Sequence, residues 1–407
     1  MANPERALKD LYELRKIGPY KTGVHRPTLS PDDMEARQWL VDKLQAIGHD
    51  ASIDGIANVV GKAPDPGPHV LGGSHIESQN HAGWLDGALG VVYALEAARA
   101  IAEARDVQGG VDVIAFADEE GHFSGPLLGS NSFVGELTDE DMDTAVDRSG
   151  RGSLRHCLAE AGLSGRPRLQ MDPHRYAAFF EAHIEQGDRL ETAGQSIGIV
   201  TSIVAIWAYR ITFEGEQNHA GTTTMASRKD AGKALMTLWR GIEDAFPAIA
   251  GPFSVWTVGR VNLKPGGPSI IPGHAEMIFQ FRDAEMETLE RMHACLEQLI
   301  TDVDAAGPCS ARLEILAQMK PAMMAPGPQN AIIDAAKAII PDDYALMPSG
   351  AAHDAQVIAP HIPSAMMFVP SIGGISHHWA ENTSDEHIKR GVEVYVDAVS
   401  RVLQASQ

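Results

Sequence analysis

Four short segments each set histidines or carboxylates directly behind an apolar run. They are Gly73-Ser74-His75-Ile76-Glu77, followed by Leu85-Asp86-Gly87; Asp118-Glu119-Glu120-Gly121; His183-Ile184-Glu185-Gln186-Gly187; and Gly374-Ile375-Ser376-His377-His378. Imidazole and carboxylate together are the donors that zinc and similar divalent ions prefer, and a catalytic site keeps one position open for water. Two ions about 3.5–4 Å apart need a bridging carboxylate and a few terminal ligands. His75, Asp86, Glu120, His183 and His377 supply that set. A further carboxylate must stand beside the attacking water as general base, and Glu119, adjacent to Glu120, fits that role. Each segment alone has a plainer reading. A histidine at a strand end is commonly a hydrogen-bonded structural residue, a Glu-Glu pair a solvated face, and Asp-Gly a turn. Their joint order and spacing favours the metal site.

The elements that position these residues follow from periodicity. Ser30 is an N-cap, Pro31 suits the first helical position, Leu40, Val41, Leu44 and Ile47 form an apolar stripe, and Gly48 ends the helix. Then His69–Gly73 reads as a strand, Ala88–Arg105 as a helix, and Val111–Ala117 and Ala177–His183 as strands. This rhythm predicts an α/β domain with a largely parallel sheet, whose ligand sites lie at the carboxyl ends of the strands. From about Trp207 the order becomes βαββαβ: strand Tyr209–Glu214, helix Lys229–Asp244, strands Phe253–Leu263 and Ala275–Arg282, helix Met286–Val303, strand Ala311–Met319. That is the ferredoxin-like split motif, here inserted into the first domain. The large pattern resumes after Pro326 and ends in a helix over Ser384–Ala405. The expected boundaries are 1–208 and 324–407 for the large domain and 209–323 for the insert.

The chain has 407 residues, 44% hydrophobic and 21% charged, with a net charge of −21. The length favours two domains, and the acidity repels phosphate backbones, so nucleic acid is not an expected partner. Cys157, Cys295 and Cys309 form neither a CxxC pair nor an even set, which argues against disulfides. The charged N-terminus lacks the apolar core of a signal peptide, and no run is long enough to span a membrane. A reducing cytoplasm is the expected location. Serine-hydrolase and nucleotide-binding readings fail: no G-x-S-x-G occurs, and Gly55–Lys62 is spaced one residue too long for a P-loop, with Ala63 where Ser or Thr is needed.

The motifs GSHIES…LDGALGV, FADEEG, HIEQGDRLE, NHAGTTTMASRKDA, SGAAHDA and FVPSIGGISHH together resemble the signatures of the M20-type metallopeptidase superfamily, in its hydantoinase/carbamoylase branch. The resemblance covers nearly the whole chain. The branch holds N-carbamoyl-L-amino acid hydrolases, allantoate amidohydrolases and bacterial-type β-ureidopropionases, and the His of HIEQG separates it from peptidase relatives that use Glu. The resemblance implies a large di-metal α/β catalytic domain with an inserted α+β dimerisation domain, and two divalent ions per subunit, Zn or else Mn, Co or Ni. Asp86 would bridge the ions, Glu120 and His377 would complete one, and His75 and His183 the other. Glu119 would be the base and Gln186 would bind the substrate's amide end. His219 would reach a neighbouring subunit's site and stabilise the oxyanion. Arg282 would hold a substrate carboxylate, which its planar fork of donors suits; without the family, a surface salt bridge explains it equally. Ser269 and His353 complete the substrate-binding set. The implied protein is a homodimeric amidohydrolase that cuts a C–N bond in a small carbamoyl or ureido compound.

Several positions depart from the family's pattern. Glu77 stands where an Asp usually orients the ligand His; being one methylene longer, it needs a shifted backbone or a different partner. Gln79, Asn80, His81 and Trp84 replace a plainer stretch and are expected to enter the pocket. His122-Phe123 follows Gly121 without the usual Arg. Thr224, Ser269 and Gln280 replace Pro, Asn and Asp. The reaction class is therefore firmer than the substrate. The rivals are an M20-type aminoacylase or peptidase, a hydrolase of an unusual amide, amidine or aromatic C–N substrate, and a non-catalytic binding protein on the same scaffold.

Overall fold

In the computed structural model, which describes residues 1–104 and 107–406, the apolar runs of the large domain become four central parallel strands. Their order across the sheet is Ser364–Val369, Tyr176–Ile184, His69–His75, Gly110–Phe116. The pairings set His75 opposite Phe116 and Val369 opposite Ile184, so the carboxyl ends lie level. Nearly every residue of these strands is buried, as expected when a parallel sheet is covered on both faces.

The flanks differ from the largely parallel expectation. Val59–Lys62 runs antiparallel to Gly110–Phe116, Asp50–Ile53 antiparallel to Val59–Lys62, and Ile197–Ile203 antiparallel to Ser364–Val369. The reversal between Asp50–Ile53 and Val59–Lys62 is a tight turn, which only antiparallel neighbours permit. Asp54 Oδ1 holds it by accepting from the Ile56 and Asn58 N–H groups at 2.9 and 2.8 Å.

Helix Ala88–Glu103 is buried almost all round and contacts strands of the sheet and helices Pro4–Leu14 and Asp385–Ala405. Its small and aliphatic residues allow that close approach. The expected end at Arg105 lies outside the described residues. Ser30 caps helix Pro31–Gln45 through the Asp33 N–H, and Ser384 caps Asp385–Ala405 through the His387 N–H. Arg26, fully buried, donates to the Leu14 and Ile17 carbonyls at 2.9 and 3.2 Å, placing a cation at the negative end of the first helix.

The chain divides into two units, Met1–Thr201 with Met323–Gln407, and Ser202–Ala322. The second carries its own four-stranded antiparallel sheet, ordered Val255–Lys264, His274–Asp283, Ala205–Glu214, Ser310–Gln318, with helices Ala231–Ala245 and Met286–Ala306. In chain order this is second-third-first-fourth, the split βαβ arrangement. Strict alternation of buried and half-exposed residues along Ala205–Glu214 and His274–Asp283 gives the unit a separate core around Tyr209, Phe213, Phe279 and Phe281. The first strand starts at Ala205, earlier than its aromatic run suggests.

Candidate metal centre

All four central strands deliver chemistry at their carboxyl ends. His75 closes His69–His75, Glu119 and Glu120 follow Gly110–Phe116, His183 lies near the end of Tyr176–Ile184, and His377 follows Ser364–Val369. Asp86 sits just before helix Ala88–Glu103. Asp118, Gln186 and His377 adopt φ of 61°, 59° and 55°, a left-handed conformation costly for residues other than glycine and concentrated at functional sites. Here it turns the chain sharply beyond three of the strand ends that carry the donors.

The donor atoms of His75, Asp86 and His183 lie within 4.8 Å of one another, and so do those of Asp86, Glu120 and His377. Asp86 belongs to both groups. Its Oδ1 is 2.9 Å from His183 Nε2 and 3.4 Å from His75 Nε2, and its Oδ2 is 3.5 Å from His377 Nε2. Glu120 Oε2 stands 3.4 Å from His377 Nε2. Glu119 Oε2 is 3.7 Å from His75 Nε2. Gln186 Nε2 donates to Asp86 Oδ2 at 2.8 Å.

Hydrogen bonds assign the tautomers. His75 Nδ1 donates to the Glu77 carbonyl at 3.2 Å and His183 Nδ1 to the Ile184 carbonyl at 2.9 Å. With Nδ1 donating, each ring turns its Nε2 towards carboxylate oxygens. His75 Nε2 is buried without a hydrogen-bond partner. Lone pairs facing lone pairs repel unless a proton or a cation stands between them, so the residues fit a pair of divalent ions.

The charges show the same demand. Burial, with repulsion from Glu120, pushes Glu119 well above the carboxylate range despite the His75 imidazole. Burial and Asp86 push Glu120 up to about 8. Asp86 is held well below its ordinary value because His183 and His75 outweigh its burial. Burial alone would lower His75, yet Glu119 and Asp86 drive it well above its ordinary value. A crowd of acids this deep needs positive charge.

His353 is buried edge-on to the His183 ring, with centroids 4.6 Å apart, and its Nε2 meets Ser349 Oγ at 2.8 Å. Burial and then His183 hold it well below its ordinary pKa, so it stays neutral. His219, Ser269 and Arg282, expected on the substrate side, lie in the second unit. His219 is exposed on the two-residue strand Asn218–His219, which pairs with Ile270–Ile271. The Ser269 carbonyl accepts from the Ala220 N–H at 2.9 Å, so His219 and Ser269 are neighbours. His219 Nδ1 accepts from the Gly221 and Thr222 N–H groups at 3.0 and 3.1 Å; a neutral ring then carries its proton on Nε2. Arg282 is half-buried on Gln280's face of His274–Asp283, and burial lowers its pKa.

Two expectations change. Trp84 does not enter the pocket: it is 2% exposed, stacked on Tyr12 at 5.2 Å and beneath the Arg15 guanidinium at 4.5 Å. Its large apolar surface is better buried against the first helix. Gln79 does face the donors, its side chain donating to the Glu120 carbonyl at 2.7 Å, while His81 is exposed and stacks on His25 at 4.3 Å. Glu77 takes the different partner its extra length allows: its carboxylate lies 3.9 Å from His75 Nδ1 but 2.7 Å from Arg37 Nη2.

Sequence reasoning missed Glu381 and Ser376. Glu381 is buried and accepts from the Asp86 N–H at 3.1 Å, while Ser376 Oγ lies 3.2 Å from Asp86 Oδ2 and 3.1 Å from Glu381 Oε2. These contacts tie the His377 loop to the Asp86 loop. An acid close behind His377 in GISHHWAE was the available signal.

The family model for peptidase family M20/M25/M40 matches residues 68–401. The chain is 33% identical over 413 residues to an N-carbamoyl-L-amino-acid amidohydrolase of Paenarthrobacter aurescens, covering 99% of this chain and 98% of that one. It is 32% identical over 384 residues to an allantoate amidohydrolase of Escherichia coli, covering 91% of each. Among solved structures, an amidase of the hydantoinase/carbamoylase family from Burkholderia phymatum superposes with a TM-score of 0.92 at 44% identity, covering 100% of this chain and 99% of that one.

Proposed function

The chain belongs to peptidase family M20/M25/M40, and from that premise we propose that it is a metal-dependent amidohydrolase cutting a non-peptide C–N bond in a small carbamoyl or ureido compound. The observation that carries the reading is the pair of donor groups sharing Asp86, with Glu119 beside them. The relatives named for N-carbamoyl-amino-acid and allantoate hydrolysis match over nearly their whole length, which supports the substrate class.

His75, Asp86 and His183 would hold one divalent ion and Asp86, Glu120 and His377 the other, zinc or a similar metal such as Mn, Co or Ni. When bound, such ions polarise a carbonyl and ease loss of a proton from water. Glu119 takes that proton and returns it to the leaving nitrogen. Gln186, now on Asp86, orients the amide end of the substrate. His219 presents an Nε2–H donor to the oxygen that becomes negative, and its fixed tautomer makes it ready for that role. Arg282 receives a substrate carboxylate, with Ser269 beside His219 and His353 behind His183. The Ser202–Ala322 unit serves as the dimerisation domain, and His219 acts in the partner subunit's site. Cys157, Cys295 and Cys309 are unpaired, which supports a reducing cytoplasm as the place of work.

The test is ammonia release from N-carbamoyl amino acids and allantoate, against N-acyl amino acids and dipeptides, with Mn, Co or Zn added. Turnover of a ureido acid is expected. Turnover confined to acyl amino acids or dipeptides would replace this reading with an aminoacylase or peptidase.

A further inference from the structure

We infer that Glu77 and Arg37 form a buried clamp that positions the main chain of Glu119. The inference rests on the reading of Glu119 as general base.

Arg37 and Glu77 are both fully buried, and so is Asp33. Arg37 Nη2 donates to Glu77 Oε2 at 2.7 Å, and Arg37 Nε to Asp33 at 3.0 Å. The other Glu77 oxygen, Oε1, accepts the Glu119 N–H at 2.8 Å. Arg37 Nη1 donates to the Ala57 carbonyl at 2.8 Å and the Phe116 carbonyl at 3.2 Å. One guanidinium thus grips the end of strand Gly110–Phe116 directly and the Glu119 N–H through Glu77. Between those two points lies Asp118, left-handed at φ 61°. Its own carboxylate accepts from the His122 and Phe123 N–H groups at 2.9 and 3.2 Å. The strained turn that aims Glu119 is therefore fixed from both sides.

Arg37 is planar and always charged, so it satisfies two acids and two carbonyls at fixed angles where a lysine could not. Such a buried ionic network is a weak source of net stability. What it supplies here is direction. Glu77 is fully buried, and its main-chain carbonyl accepts from His75 Nδ1 at 3.2 Å while its carboxylate stands 3.9 Å from the same atom. It is a positioning residue.

Two double variants separate positioning from charge balance. Glu77→Gln with Arg37→Met removes both charges but keeps an amide oxygen for the Glu119 N–H. Glu77→Leu with Arg37→Met removes the charges and the acceptor. Both are measured for metal content, melting temperature, kcat and KM on the best ureido substrate. The clamp predicts that both keep their ions and melt together, that both fall below the parent in kcat because the guanidinium is gone, and that the Leu pair loses a further factor of about 10 to 100 in kcat relative to the Gln pair at similar KM, the range for a reacting group displaced by a fraction of an ångström to one ångström. Equal kcat in the two pairs overturns the proposal, as does loss of metal in the Leu pair in step with its activity. Should either pair fail to fold, Glu77→Asp is the second measurement: it retains charge but falls one methylene short, and kcat unchanged from the parent overturns the clamp. Glu119→Gln runs alongside; full activity there refutes the base assignment itself, a separate failure.

Discussion

Asp86 is buried and met by His75, His183, Gln186 and Ser376, whereas His219 stands exposed on a two-residue strand, its ring fixed by two main-chain N–H groups. The first residue is embedded in a charge network whose members depend on one another. The second is aimed by local geometry alone. In the Asp86 region, then, metal retention, folding and turnover are coupled, because any deletion leaves buried groups uncompensated. On the proposed role of His219, turnover in its region should be lost by itself. His377 shows that the divide is not absolute, since its side chain is 52% exposed although it closes the second donor group.

The sharpest way to break this contrast is at Asp86. Asp86→Ala should lose at least one ion by elemental analysis and show no detectable turnover, with a shifted melting temperature. Full occupancy would end its assignment as the shared ligand. Glu119→Gln comes next: the carboxamide keeps the shape, so metal content should hold while kcat falls by at least about 100-fold, the lower end for loss of a general base. Unaltered turnover would remove Glu119 from the chemistry. His219→Ala should lower kcat by about 10²–10³-fold, as for one oxyanion donor, with metal content and melting temperature unchanged. Mixing it with Glu119→Gln should restore activity if His219 acts across a dimer. A His219 variant that loses metal would erase the distinction between the two regions.

The donor set was legible because parallel strands end together, so polar residues behind separate apolar runs must converge. What lay beyond reach was set by packing. Arg37 is 40 residues from Glu77 on a helix whose pattern shows only an amphipathic stripe. Nothing local marks it as the partner of an acid in another segment. Trp84 was misplaced for a related reason: an aromatic beside polar pocket residues reads as pocket, and only the position of the first helix reveals its partner. The antiparallel flanks escaped because a short apolar strand carries no sign of its direction.

Buried carboxylates themselves extend the contrast between supported and unsupported groups. Asp86 is kept charged by two imidazoles, but Asp54 has main-chain N–H donors from Ile56, Asn58 and Leu169, and burial pushes it up to about 6 from 3.8. A raised carboxylate pKa means that the folded state binds the proton more tightly. Its stabilising contribution is complete below pH 3.8 and is lost as pH rises through about 6. The shift corresponds to roughly 3 kcal/mol. Asp54→Asn keeps an oxygen for the Ile56 and Asn58 N–H groups and turns an amide towards the Leu169 N–H, a cost that does not vary with pH. Denaturant unfolding of variant and parent should therefore show the variant gaining on the parent, by up to roughly 3 kcal/mol, as pH rises from about 4 to about 7. A difference that stays flat over that range would mean that Asp54 titrates alike in the folded and unfolded chain, its main-chain donors and the Arg37 charge together offsetting its burial.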